Sequence, residues 1–128
     1  AWLAEKWQEL QARPDNQLRR GGRKDYLQHK EAARSLVLAK IEHFNSFYKF
    51  PISRVSIRDQ RSRWGSCSKR GGLNFNYRLL FLDEKLVDYV VVHELCHLGD
   101  LNHCPAFWLL VSRMIPDYQQ RRQALRHL

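Results

Sequence analysis

Val90-Val91-Val92-His93-Glu94-Leu95-Cys96-His97-Leu98-Gly99-Asp100-Leu101-Asn102-His103 contains the pattern H-E-x-x-H, followed by a glycine and a further histidine. On an α-helix, residues four apart share a face about one turn from each other, so His93 and His97 can reach one ion. Glu94 sits about 100° round from His93, beside that ion, where its carboxylate can touch a water without binding metal tightly. A catalytic zinc takes three protein ligands and leaves a fourth position open. The third ligand must come from elsewhere, and His103 is the nearest good candidate. Gly99 can take a positive φ, which predicts that the chain leaves the helix there and turns back. Asp100 competes, being i+3 from His97 and i+7 from His93 on a continued helix. Donors along one straight face, however, span about 10 Å at about 1.5 Å per residue, whereas zinc needs each donor about 2 Å from one point. His103 is therefore read as the third ligand, with Asp100 left near the turn behind a histidine. Cys104, beside His103, is a weaker ligand candidate, and Cys96 reads as a small buried residue. Two histidines at i, i+4 are commonplace; the added glutamate, glycine and third histidine point to a metal site.

The chain has 128 residues, 44% of them apolar, which is enough for one domain with a hydrophobic core. No apolar run approaches the roughly 20 residues needed to span a bilayer, so no membrane partner is expected. No signal peptide is visible. The chain starts at Ala1 rather than at a methionine, which suggests that the native N-terminus lies upstream. Cys67, Cys96 and Cys104 are odd in number and lack paired spacing, which fits free thiols in a reducing cytoplasm. The net charge of +9, from 22 Lys and Arg, suggests an anionic partner: nucleic acid, nucleotide or an acidic peptide. A solvated basic surface explains the same charge.

Ala1 to about Ala12 reads as a helix with Trp2, Leu3, Trp7 and Leu10 on one side. Arg13-Pro14-Asp15-Asn16 is a breaker, and Arg19-Arg20-Gly21-Gly22-Arg23-Lys24 a basic loop. A long helix is predicted from about Asp25 to Tyr48, with Ala33, Leu36, Val37, Ile41, Phe44, Phe47 and Tyr48 at helical spacing. Val55-Ser56-Ile57-Arg58 alternates with period two, as does Leu73-Asn74-Phe75-Asn76-Tyr77. The latter is expected to form a hairpin with Trp64–Ser68 across a turn at Arg70-Gly71-Gly72. Asp83 is a plausible N-cap for the H-E-x-x-H helix, and Glu84 suits its first turn. The β-branched run Val87–Val92 resembles a strand, but the cap and the motif argue for helix. Pro105 opens another helix through Ile115, and Asp117 is expected to cap a basic C-terminal helix.

Four blocks now stand in order: Trp64-Gly65-Ser66-Cys67, Asn76-Tyr77-Arg78-Leu79, His93-Glu94-Leu95-Cys96-His97, and Asn102-His103 with Phe107-Trp108. Over roughly residues 25–118 the chain resembles the YgjP-like family of small zincin metallopeptidases, related to SprT-like and WLM proteases. The resemblance implies an α+β, minimal zincin-like fold, with a small antiparallel sheet, a backing helix and an HExxH active-site helix. It implies one Zn²⁺ per chain on His93, His97 and His103, with Glu94 as the catalytic glutamate. Cys96 departs from the family, which usually has a small residue there. The β-rich region that often precedes the zincin core is absent before Ala1. Metzincins have glycine where this chain has Asp100, so that reading is weaker.

The expected organisation is one domain over 1–128: an N-terminal helix and basic loop at 1–24, a core at 25–118 and a C-terminal basic helix at 117–128. The implied chemistry is metal-assisted hydrolysis of a peptide or protein, with Glu94 moving the proton. A developing oxyanion needs a further donor; Arg61, Arg63 and Tyr77 are candidates, with ordinary surface arginines and a core tyrosine as the plainer reading. An exposed edge at Leu73–Tyr77 would pair with an extended peptide and bring in Asn76, which can equally well satisfy backbone groups. Two rival functions remain: a metal-dependent nucleotide phosphoanhydride hydrolase using Arg58, Arg61 and Arg63, and a nucleic-acid-associated SprT-like protein binding through its basic C-terminal helix.

Overall fold

The computed structural model describes residues 21–100 and 103–127. The expected helix at Ala1–Ala12 and the breaker after it lie outside these residues. Helix α1, Arg23–Tyr48, buries one stripe formed by Ala33, Val37, Ile41 and Phe44. These are spaced three or four apart, the interval that keeps side chains on one helical face. Phe47, expected in the same stripe, points outward and is 51% exposed. Arg23 and Lys24 belong to this helix rather than to the basic loop before it.

Strands β1 (Arg54–Arg58), β2 (Gly65–Cys67) and β3 (Gly72–Asn76) form one sheet in the order β1-β3-β2. The expected β2–β3 hairpin is present, with Ser66 opposite Asn74, and Gly71 closes its turn at φ 85°. In one respect the sheet differs from the antiparallel one expected: β1 pairs with β3 in parallel, Val55 opposite Leu73 and Ile57 opposite Phe75. The connection at 59–64 explains this. Stepping over one strand needs about 10 Å, two strand spacings, and six residues reach that distance easily. The chain therefore crosses the end of β3 before β2 begins, and the hairpin brings β3 back between its neighbours. A central β3 has no open edge, so a peptide cannot pair along Leu73–Tyr77; β2 is an edge strand.

A 3₁₀ helix, Tyr77–Phe81, leads to helix α2, Glu84–His97. Asp83 caps α2 as expected, accepting from the Lys85 amide at 3.0 Å. Lys40 on α1 contacts Glu84 at 2.6 Å and Asp88 at 2.9 Å, tying the two helices together. Leu86, Val87 and the whole run Tyr89–Val92 are buried. That explains why a β-branched run is helical here: α2 packs against α1, β2 and the C-terminal helices, and burial on every side outweighs a few tenths of a kcal/mol per residue of propensity.

Pro105 opens helix α3, Pro105–Met114, and helix α4 follows at Tyr118–Arg126. Asp117 stands at the N-cap of α4, but its side chain makes no cap bond and instead pairs with Arg121 at 3.0 Å. No helix among the described residues is long and apolar enough to cross a membrane.

Candidate metal centre

His93 and His97 project from one face of α2, and His103 comes from the segment before α3. Their Nε2 atoms converge: 3.2 Å between His93 and His97, 3.3 Å between His93 and His103, and 3.1 Å between His97 and His103. Three Zn–N bonds of about 2.0–2.1 Å at tetrahedral angles would place the nitrogens about 3.3 Å apart. Among the described residues this is the one group of three or more His, Cys, Asp or Glu able to hold a metal ion. His97 is buried and His103 exposed, so the cluster opens to solvent on the His103 side.

The other ring nitrogens of His93 and His97 are held in place. His97 Nδ1 lies 3.1 Å from the Asp100 carbonyl, so Nδ1 carries the proton and Nε2 presents a lone pair to the cluster. His93 Nδ1 lies 3.1 Å from the Tyr89 hydroxyl, one helical turn back. Phe107 stacks on His97 with ring centroids 4.4 Å apart, and Trp108 stacks on His103 at 5.6 Å. Burial, and next the neighbouring His97, His103 and Arg122, push the His93 pKa down to about 3. His97 is also lowered, chiefly by burial. Both shifts favour the neutral ring, the state in which imidazole binds metal.

Asp100 contributes its carbonyl rather than its carboxylate, which accepts from the Cys104 thiol at 2.9 Å. Gly99 works differently from expectation. Its φ is not in the left-handed region, and α2 ends in tightened bonds from the Gly99 and Asp100 amides to the Cys96 carbonyl. What requires glycine is space: a Cβ there would lie 2.8 Å from Phe50 and 3.3 Å from Leu110.

Glu94 is 7% exposed and lies beside the cluster. Burial raises its pKa to about 8, with Arg63 pulling the other way. Strand β2 runs close against it, and a Cβ on Gly65 would sit 3.0 Å from Glu94 Cγ and 3.2 Å from Oε2. The glycine of the Trp64-Gly65 block thus lets an edge strand approach the glutamate.

A cavity of about 290 Å³ adjoins His93 and Glu94. Arg63, Trp64 and Gly65 form one side, and Arg122, Leu125 and Arg126 of α4 the other. A second cavity, about 370 Å³, lies on the His97 side and includes Ser68, Lys69 and Arg70. Of the remaining candidates, only Arg63 reaches the first cavity. Arg61 lines neither cavity, and Arg58 bonds Asn74 at 3.3 Å, so these arginines are not gathered into a phosphate cradle.

Asn76 and Tyr77 are fully buried elsewhere. The Tyr77 hydroxyl donates to Asp25 at 2.7 Å, and burial, then Asp25, pushes its pKa up to about 12. Asn76 donates to the Gln60 and Arg63 carbonyls at 2.7 and 3.1 Å and accepts from the Arg78 amide. Arg78, buried to 3%, pairs with Asp59 at 2.7 Å and donates to the Gln60 carbonyl. The block Asn76-Tyr77-Arg78 is thus a clamp on the crossover 59–64 and positions Arg63 and Trp64 through it. Sequence reasoning missed Tyr89, although its i−4 spacing to His93 was available as a signal. It also left Arg122 on a generic basic helix.

Residues 2–128 match the family described as YgjP-like, metallopeptidase domain. Among solved structures, the chain is similar to the metallopeptidase zymogen of Pyrococcus abyssi abylysin: TM-score 0.60, 25% identity, covering 69% of this chain and 87% of that one. It also shares its fold with the metallopeptidase zymogen of Methanocaldococcus jannaschii jannalysin: TM-score 0.56, 19% identity, covering 73% of this chain and 92% of that one. No curated protein matches the chain.

Proposed function

The chain belongs to the YgjP-like family and is a metallopeptidase, and from that premise we propose that one zinc ion on His93, His97 and His103 serves peptide-bond hydrolysis with Glu94 as general base. The observation that carries this reading is the convergence of three Nε2 atoms at 3.1–3.3 Å on one point. Bound zinc supplies Lewis acidity, polarising a carbonyl and lowering the pKa of water from about 16 towards 7. The protein supplies the rest. Tyr89 and the Asp100 carbonyl fix two of the rings, which keeps ligand geometry in place between turnovers. The Glu94 carboxylate takes a proton from water and returns it to the leaving amine nitrogen. β2 is an edge strand and lies beside Glu94, a placement that suits an extended peptide paired by main-chain hydrogen bonds. Arg63, at the cavity next to Glu94, is the donor available to a developing oxyanion. A reducing cytoplasm remains the compartment favoured by three unpaired thiols.

Elemental analysis of protein purified without added metal should find about one equivalent of zinc. Glu94→Gln should keep that zinc and lower hydrolysis of a peptide library by about 10²–10⁴-fold. Zinc that cannot be restored to the protein, or a variant that cleaves at the wild-type rate, would overturn the reading.

A further inference from the structure

The cavity beside His93 and Glu94 has a composition that the hydrolytic step does not require. Arg63 enters it from the crossover loop, and Arg122 and Arg126 enter from α4. Glu94 is the single acidic residue lining it. None of the three arginines is within 4.0 Å of a carboxylate among the described residues, whereas Arg121, their neighbour on α4, is paired with Asp117. Arg122 is not a loose surface side chain: its guanidinium lies 5.0 Å from the Trp108 ring centroid, and Trp108 itself stacks with His103 and with Tyr118. That stacking holds a cation at a fixed place beside the metal centre. Between the arginines the walls are apolar, from Trp64, Val90 and Leu125.

We propose that this cavity is a specificity pocket for an acidic side chain next to the scissile bond, with Arg122 and Arg126 as the residues that select it. The proposal rests on the peptidase reading and adds the substrate class to it. The apolar walls accept the methylenes of a glutamyl side chain, and the guanidinium groups offer forked donors to its carboxylate. A lysyl side chain would meet three cations. Strand β2 carries the argument beyond this one pocket. Its Gly65 end lines the arginine cavity, and Ser68 and Lys69, just past its other end, line the cavity on the His97 side with Arg70. A peptide extended along β2 would thus run from the cavity lined by His93 to the one lined by His97. The net charge of +9 has the same sign.

The test uses labelled peptides identical except for Glu, Gln or Lys at the residues flanking the cleaved bond. Zinc-loaded protein should cleave the glutamyl peptides about 10-fold faster or more, in kcat/KM, than the glutaminyl ones, and the lysyl ones most slowly. Arg122→Gln should erase most of that preference. Arg126→Glu, at the exposed rim and outside the ring stack, should shift it towards lysine even if Arg122→Gln proves unstable. Fluorescence anisotropy on zinc-loaded Glu94→Gln protein reads the pocket without turnover. The glutamyl peptide should bind about 10-fold tighter than the glutaminyl one, and the gap should narrow as salt screens it. Cleavage and binding indifferent to Glu, Gln and Lys, or a preference that survives both arginine substitutions, overturns the pocket and leaves the peptidase reading intact. Selective binding with no hydrolysis by the wild type overturns the peptidase reading and leaves the pocket intact. If no peptide is bound or cleaved, both fall.

Discussion

At the end of β3, Asn76 and Arg78 are as deeply buried as His97 and Glu94 at the end of α2. The two groups use their polar atoms differently. Asn76 spends both its amide nitrogen and its oxygen on the neighbouring backbone, and Arg78 bonds Asp59 and the Gln60 carbonyl. These donors and acceptors close on one another, as buried polar groups ordinarily must. His93 and His97 satisfy the fold with one nitrogen each, at Tyr89 and at the Asp100 carbonyl, and aim the other nitrogen at a point shared with His103. Three imidazole nitrogens brought this close leave acceptors facing one another, an arrangement that a cation between them would relieve. The first arrangement holds a structure together, and the second leaves room for a ligand.

The sharpest way to break that contrast is to remove one converging nitrogen. His103→Ala should lower zinc affinity by about 10³-fold or more, measured by competition with a chelator. Asp100→Asn should change it less than about 10-fold, because the carbonyl that holds His97 survives the substitution. A larger loss in Asp100→Asn than in His103→Ala would mean that the ligand set is wrong. Next in size is the closed cluster: Arg78→Ala should destabilise the protein by about 2–4 kcal/mol in denaturant titrations. Zinc affinity of the folded fraction should stay within a few-fold. If Arg78→Ala abolished metal binding at unchanged stability, the division between the two groups would fail.

The third prediction uses pH on metal-free protein. The Glu94 carboxyl ordinarily titrates near 4.5 and is raised to about 8 in the fold. Between those values the folded state holds a proton that the unfolded chain has lost, so this contribution to stability falls as pH rises from 4.5 to 8. Glu94→Gln removes the effect. The variant should melt higher than the wild type at about pH 8, by on the order of a few kcal/mol, with the gap closing towards about pH 5. His93 acts in the opposite sense, with a pKa lowered from 6.5 to about 3, so it costs stability as pH falls below 6.5 in both proteins. A smaller effect than that of His103→Ala is expected from Tyr89→Phe, which removes one hydroxyl from His93 Nδ1 and should weaken zinc about 10-fold without loss of fold.

The legible parts of this chain were those governed by local rules. The 3.6-residue period revealed α1, the N-cap at Asp83 marked the start of α2, and the i, i+4 histidines put two ring nitrogens on one face. The expectation that His103 joins His93 and His97 came from elimination, because a straight helix cannot surround an ion, and its Nε2 does lie beside theirs. What stayed hidden depended on contacts between distant residues. The parallel pairing of β1 with β3 follows from where a six-residue crossover lands, and no periodicity encodes that. Asn76 and Tyr77 stayed open between site and structural roles, because sequence reports polarity but not whether a partner such as Gln60 or Asp25 already occupies it; the structural alternative is the one seen. Gly99 reads as a positive-φ turn, but its φ is not in the left-handed region, and the need for glycine comes from Phe50, about fifty residues earlier.

The stack on Trp108 has an optical consequence. Its indole lies parallel to His103 at 5.6 Å and to Tyr118 at 5.1 Å. An imidazole that gains a proton or a metal ion changes from a neutral neighbour to a positively charged one. Indole emission responds to such a charge at van der Waals range, in both colour and intensity. The protein therefore carries an intrinsic reporter beside its candidate metal centre, and Trp108 fluorescence should follow occupancy of His103 in real time without any added dye.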